Sequence, residues 1–203
     1  MLKQNLNYIK TLFSENDLRH FIYKNQIFIL LFIYVIIAAL TIVFFNGTGG
    51  AGDSVHHYLF AKFAPLHPEL FFNHWAKPVF VLLVSPFAQL GFIGVKIFNA
   101  IVCLLTIFFT FKIAQKLNIK NAIIGALMLI VSPLYFALTF SGLTEPLFAL
   151  FISLGVFTIL INKPITSCLF ISFLPFIRSE GLIIIGVFGL YLLLKREWKL
   201  IPF

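Results

Sequence analysis

Charge is what this sequence lacks. Only 11% of its 203 residues are Asp, Glu, Lys or Arg, and just seven are acidic, whereas soluble domains carry about 25% charged residues. Too few polar side chains exist to coat a water-covered globule, which excludes a soluble enzyme and a disordered chain. Cysteine is nearly absent as well. Cys103 and Cys168 both sit inside apolar runs, so neither a disulfide framework nor a metal knuckle can be drawn from them. What is abundant is apolar: 61% of the chain, 27 phenylalanines among it, with a mean hydropathy of +1.03. The solvent for most of this chain is lipid.

The formal net charge of +8 does not gather into the single accessible patch that nucleic acid requires, so no nucleic-acid partner is expected. Lys and Arg instead fall in short groups between apolar runs, as in multi-span proteins that keep positive loops in the cytoplasm. Run 27–45 is long enough to cross a hydrocarbon core of about 30 Å. Lys3, Lys10, Arg19 and Lys24 precede it, which predicts an uncleaved signal anchor behind a cytoplasmic segment, residues 1–26. Runs 93–111, 122–140 and 146–161 are further spans, with Ser132-Pro133 bending the third. Run 165–194 holds Arg178-Ser179-Glu180-Gly181 at its midpoint. The cost of intramembrane charge favours a hairpin of two short arms with that turn at the outer face. The fold class predicted is all-α, a polytopic transmembrane helix bundle of about six membrane segments. Its long first outer loop, 46–92, contains short interfacial helices.

In that topology eleven of the fifteen basic residues face the cytoplasm, while Asp53, Glu69, Glu145 and Glu180 and four of the five histidines fall outside. Acids do not follow the charge rule, so their gathering at one face calls for another cause. The outer loop leaves the membrane through Asn46-Gly-Thr-Gly-Gly-Ala-Gly52. A short helix is predicted at or near Asp53, whose carboxylate suits a helix N-terminus. His67-Pro68-Glu69 and Asn73-His74-Trp75-Ala76-Lys77-Pro78 follow, then an apolar interfacial stretch, 79–92, with Pro86 and Gly91 as breakers. A zinc site from Asp53, His56, His57, His67 and His74 is disfavoured: adjacent histidines on a helix point about 100° apart, and no HExxH spacing occurs.

The order of these motifs resembles the GT-C superfamily of integral membrane glycosyltransferases, which includes protein mannosyltransferases and lipid A aminoarabinose transferases. The likeness begins with a signal anchor and an outer-loop Asp53 in an Asp-x4-Tyr-x2-Ala pattern through Tyr58 and Ala61. It continues through Trp75-x-x-Pro78, Gly94-Val-Lys96-Ile-Phe-Asn99, Ser132-Pro133, Thr144-Glu145-Pro146 and Arg178-Ser-Glu180-Gly181. It covers most of the chain from residue 27 onward.

The resemblance implies an enzyme that moves a sugar from a polyprenyl-phosphate carrier to a hydroxyl of a glycan, lipid or protein acceptor at the outer or lumenal face, with inversion. It implies Asp53 as general base and His56, His57, His74, Lys77, Glu145, Arg178 and Glu180 as substrate-binding residues. Positive charge for the departing phosphate would come from Arg178, Lys77 or Lys62. Some relatives hold a divalent cation through the loop acid, which makes Asp53, then His56, the candidate ligands for magnesium or manganese. The expected location is the plasma (inner) membrane with a cytoplasmic N-terminus, or the endoplasmic reticulum membrane in a eukaryote.

Two departures stand out. Ser54 occupies the place where many members carry a second acid. The chain also has about half the spans of a full enzyme, so it resembles the N-terminal half, residues 27–203 forming the transmembrane part: a fragment, a truncated gene product or one of two chains. Apart from the resemblance, each residue has a plainer role. Asp53 reads as a helix N-cap, the histidines and Trp75 as an interfacial belt, and Glu145 as a helix N-terminal acid. Arg178–Glu180 reads as a mutual ion pair and Lys96 as a lysine snorkelling to the interface. The rival functional classes are a transporter subunit and a non-catalytic multi-span protein.

Overall fold

The computed structural model describes residues 15–49 and 51–195, with side chains from Asn25 onward except Ala51. Lys3, Lys10, Arg196 and Lys199, on which the cytoplasmic placement of both chain ends rests, lie outside the described residues. The described chain is all-helical. Its α-helices are α1 (Glu15–Phe44), α2 (Ala51–Phe63), α3 (Pro78–Ala88), α4 (Phe92–Lys116), α5 (Ala122–Val131), α6 (Pro133–Thr139), α7 (Glu145–Leu160), α8 (Pro164–Ser172) and α9 (Gly181–Leu194). Single turns of 3-10 helix at Pro68–Phe72 and Leu174–Phe176 complete it.

Two helices are long and apolar enough to cross a membrane: the Asn25–Phe44 portion of α1, and α4. The α5–α6 pair makes a third if its halves count as one span. Of the six membrane segments expected, two or three therefore have the required length. The bend at Ser132-Pro133 is a 67° break rather than a gentle kink, because Pro133 has no N–H to donate and drives Ser132 into extended backbone. The remaining apolar helices are shorter. The sixteen residues of α7 rise only about 24 Å.

Helix α4 is the axis. One cluster of buried side chains on it, with Val95, Phe98 and Val102, packs against α2, α3 and α7 through Ala61, Phe80, Val84 and Leu147. The other, with Cys103, Ile107 and Phe111, packs against α1, α5 and α6 through Tyr34, Ala38, Ala126 and Phe140. On α1 the buried residues Ile27, Tyr34 and Ala38 follow helical spacing, and the Tyr34 hydroxyl donates to the Ala100 carbonyl at 3.1 Å. Phe28, Phe32, Val43 and Phe44 point away from the bundle, as lipid-facing side chains do.

The stretch 79–92, expected at the interface, packs one face into the bundle. Phe80, Val81, Val84 and Ala88 on α3 are fully buried, Pro86 sits within the helix, and the chain reverses only at Gly91. Lys96 does not snorkel. It is 4% exposed, donates to the Phe45 carbonyl and lies over the Phe45 ring. One turn on, the fully buried Asn99 donates through Nδ2 to the carbonyls of Ser141 (2.8 Å) and Leu143 (3.2 Å). The Gly-x-Lys-x-x-Asn pattern is thus a pair of loop anchors, holding the ends of α1 and α6 to the head of α4.

Gly94 makes the α3–α4 turn possible, since a Cβ there would stand 1.8 Å from the Phe87 carbonyl oxygen. Gly94→Ala is expected to lower stability by about 1–3 kcal/mol, although alanine is the better helix former. Thermal unfolding of the purified chain in detergent checks this.

Candidate functional site

Several of the residues singled out in the sequence converge at the end of the bundle where α2, α7 and α9 begin. A cavity of about 480 Å³ is lined by Asp53, His57, His74, Trp75, Lys77, Thr144, Arg178, Ser179 and Glu180. Asp53 stands in the first turn of α2, which starts at Ala51, so it is not the N-cap. Its carboxylate is exposed to the cavity. Ser54 points the other way: it is fully buried, and its Oγ accepts the Gly142 N–H at 3.1 Å. A Cβ on Gly142 would meet the Ser54 carbonyl oxygen at 2.4 Å. A second carboxylate at position 54 would be buried against backbone, which is why a hydroxyl fits this fold.

The wall opposite α2 is built by ion pairs. Arg178 bonds Glu145 on α7 and, at 2.7 Å, Glu180 at the head of α9. The mutual Arg178–Glu180 pair expected from sequence is present, with Glu145 as a third member. Burial acts to depress the Arg178 guanidinium, but the Glu180 hydrogen bond and the charges of Glu145 and Glu180 outweigh it and raise it above its ordinary value. The hydrogen bond from Arg178 holds the Glu180 carboxyl below the usual range. One oxygen of Glu145, Oε2, is buried without a partner.

Lys77 bridges the two walls, donating through Nζ to Ser179 Oγ at 2.9 Å. Its backbone has φ of 67°, a region non-glycine residues rarely adopt. Pro78 at the start of α3 and the Ala76 N–H to Asn73 Oδ1 bond at 3.0 Å hold the segment in place. Strain of this kind costs about 1–3 kcal/mol and persists only where surrounding structure enforces it.

His57 is buried and stacks on Trp75 at 4.9 Å between ring centroids, with Phe80 edge-on at 5.6 Å. Burial pushes its pKa down, against the opposing pull of the Ala76 backbone, Asp53 and Glu145. Its Nδ1 has no partner. His56 lies outside the cavity lining, exposed and edge-on to Trp75 at 5.9 Å. Lys62 is also outside it, at the far end of α2 over the Tyr58 ring. Trp75, Thr144 and Ser179 line the cavity although they were not among the residues assigned to it. All three stand inside motifs whose neighbouring residues were assigned, which was the available signal.

Among the described residues no three His, Cys, Asp or Glu side chains converge as a metal site. Asp53 and Glu180 both line the cavity, with Lys77 and Arg178 beside them, and hard cations call for several oxygen ligands. Beside the cavity runs an apolar groove of about 540 Å³, lined by Phe71, Phe72, Pro78, Leu82 and Phe176, and the two share His74. No family model matches the chain, and comparison with curated proteins and with solved structures returns no match.

The depressed His57 pKa carries a stability consequence. The unfolded imidazole titrates near 6.5, so as pH falls the unfolded state takes up its proton first. Stability contributed by neutral His57 is complete above about 6.5 and declines below it. The thermal midpoint should drop between pH 7.5 and pH 5, and His57→Phe, which keeps the stack on Trp75, should make that drop smaller.

Proposed function

We propose that this chain is a membrane glycosyltransferase of the GT-C type, or its N-terminal half, acting on a polyprenyl-phosphate-linked sugar at the plasma (inner) membrane. The observation that carries the reading is the pairing of a polar cavity, holding an exposed carboxylate and a lysine, with an apolar groove that shares His74. An amphiphile with a charged head and a long chain matches that pair. A soluble sugar nucleotide has no use for the groove. The reading keeps about six membrane segments, with the 178–181 turn dipping into the outer leaflet under protein cover and the N-terminus on the cytoplasmic side.

In the transfer, the acceptor hydroxyl oxygen attacks the anomeric carbon while the bond from that carbon to the phosphate oxygen breaks. Asp53 accepts the hydroxyl proton, and the electron pair leaves with the lipid phosphate. Attack opposite the leaving group inverts the centre. Of the cations named for the leaving phosphate, Lys77 is the best placed. Arg178 is already held by two carboxylates and orders the wall, Lys62 lies elsewhere, and Lys77 donates to the neutral Ser179 hydroxyl, with Glu180 acting on it through space rather than as an ion pair.

Asp53→Asn preserves the shape of an exposed side chain and removes the base. Transfer of sugar from a polyprenyl-phosphate donor in membranes should fall by about 100-fold or more, with an unchanged thermal midpoint. Full transfer by the variant would overturn the assignment.

A further inference from the structure

A second polar cavity lies at the opposite end of α7 and α9. It has a volume of about 290 Å³ and is lined by Ile159, Asn162, Pro164, Tyr191, Leu192 and Lys195. Three features of its walls suit an anion. Most of the last carbonyls of α7 are already occupied, because Asn162, at φ 58°, lets its own N–H reach the Ile159 carbonyl (3.1 Å) and that of Lys163 reach Thr158 (2.9 Å). The cavity therefore does not face a row of free lone pairs. Helix α8 starts at Pro164 with no side chain capping its first turn, which leaves its positive end toward the space. Lys195 closes the other wall, beside a Tyr191 ring stacked on Phe188 at 6.1 Å.

The charge distribution points the same way. Asp53, Glu69, Glu145 and Glu180, the acids whose side chains are described, all belong to the other end of the bundle. Lys112, Lys116, Lys120 and Lys163 share this end with Lys195, since α4 and α7 run side by side with Phe109 against Phe157 at 5.3 Å. The cavity is also two-sided. Asn162, Tyr191 and Lys195 offer donors, while Ile159, Pro164 and Leu192 offer apolar contact at the ends of the apolar helices α7, α8 and α9.

We infer that this cavity seats the phosphodiester headgroup of an anionic membrane phospholipid. The Lys195 ammonium pairs with the phosphate, and the Tyr191 hydroxyl and Asn162 amide donate to its oxygens. Ile159, Pro164 and Leu192 pack against the glycerol and the first methylenes of the acyl chains. A free phosphate would use the same donors but not the apolar wall. The site is independent of the glycosyltransferase reading.

The test uses the full chain purified in detergent, with lipid retention read by native mass spectrometry. Phosphatidylglycerol should be retained about fivefold over phosphatidylcholine, the factor one lysine contributes near an anionic headgroup. Lys195→Gln should bring the ratio close to one, Lys195→Arg should keep it, and Lys62→Gln, a charge loss outside both cavities, should leave it alone. Equal retention of the two lipids, or an unchanged ratio in Lys195→Gln, would overturn the assignment. So would displacement of phosphatidylglycerol by an equal concentration of inorganic phosphate.

Discussion

Backbone carbonyls in an apolar bundle must find a donor, and there is no water there to supply one. That requirement governs the end of this fold where its chemistry gathers. Two chain segments leave regular structure there, one after α1 and one between α6 and α7, and each exposes carbonyls next to the head of α4. Lys96 and Asn99, a single helical turn apart, satisfy them. Everything that frames the cavity depends on those bonds. The 141–144 loop carries Thr144 to the cavity wall and Gly142 to Ser54, and Glu145 follows at once to meet Arg178. Removing Asn99 would orphan two carbonyls and release the wall together with them.

What could be read from the sequence was whatever has a short-range cause. Apolar runs gave the long helices. Ser132-Pro133 marked the break, and the Arg-Ser-Glu-Gly turn separated the hairpin arms, because local backbone chemistry and the cost of intramembrane charge act within a few residues. The gathering of Asp53, His57, His74, Lys77, Arg178 and Glu180 around one space was anticipated only as a shared face. Three features were not legible, and the first two have long-range causes. Stretch 79–92 reads as uniformly apolar, and which face of α3 is buried is decided by α2 and α4 packing over it. Lys96 looks like a snorkelling lysine until the Phe45 carbonyl is placed beside it by folding. The break at residue 132 was expected as a local bend, and its size of 67° has no signature in the two residues that make it.

The cavity illustrates how a chain with few charges spends them. Arg178 is held by two acids, which fixes geometry and leaves little of its charge for a ligand. Lys77 sits in strained backbone, bonds a neutral hydroxyl and feels Glu180 only through space, so more of its charge remains available. Asp53 is exposed where Ser54 is buried. Adjacent residues on one helical turn thus take opposite tasks: one faces the cavity, and the other bolts the helix to the bundle.

The order of the Arg178 partners along the chain also bears on how this wall assembles. Glu145 is synthesised before Arg178, and Glu180 only two residues after it. When Arg178 folds into place it therefore meets one carboxylate already made on α7 and brings the other with it. The hairpin is in this sense matched to a helix made before it. A chain in which α7 came last would have to leave arginine waiting for one of its counterions.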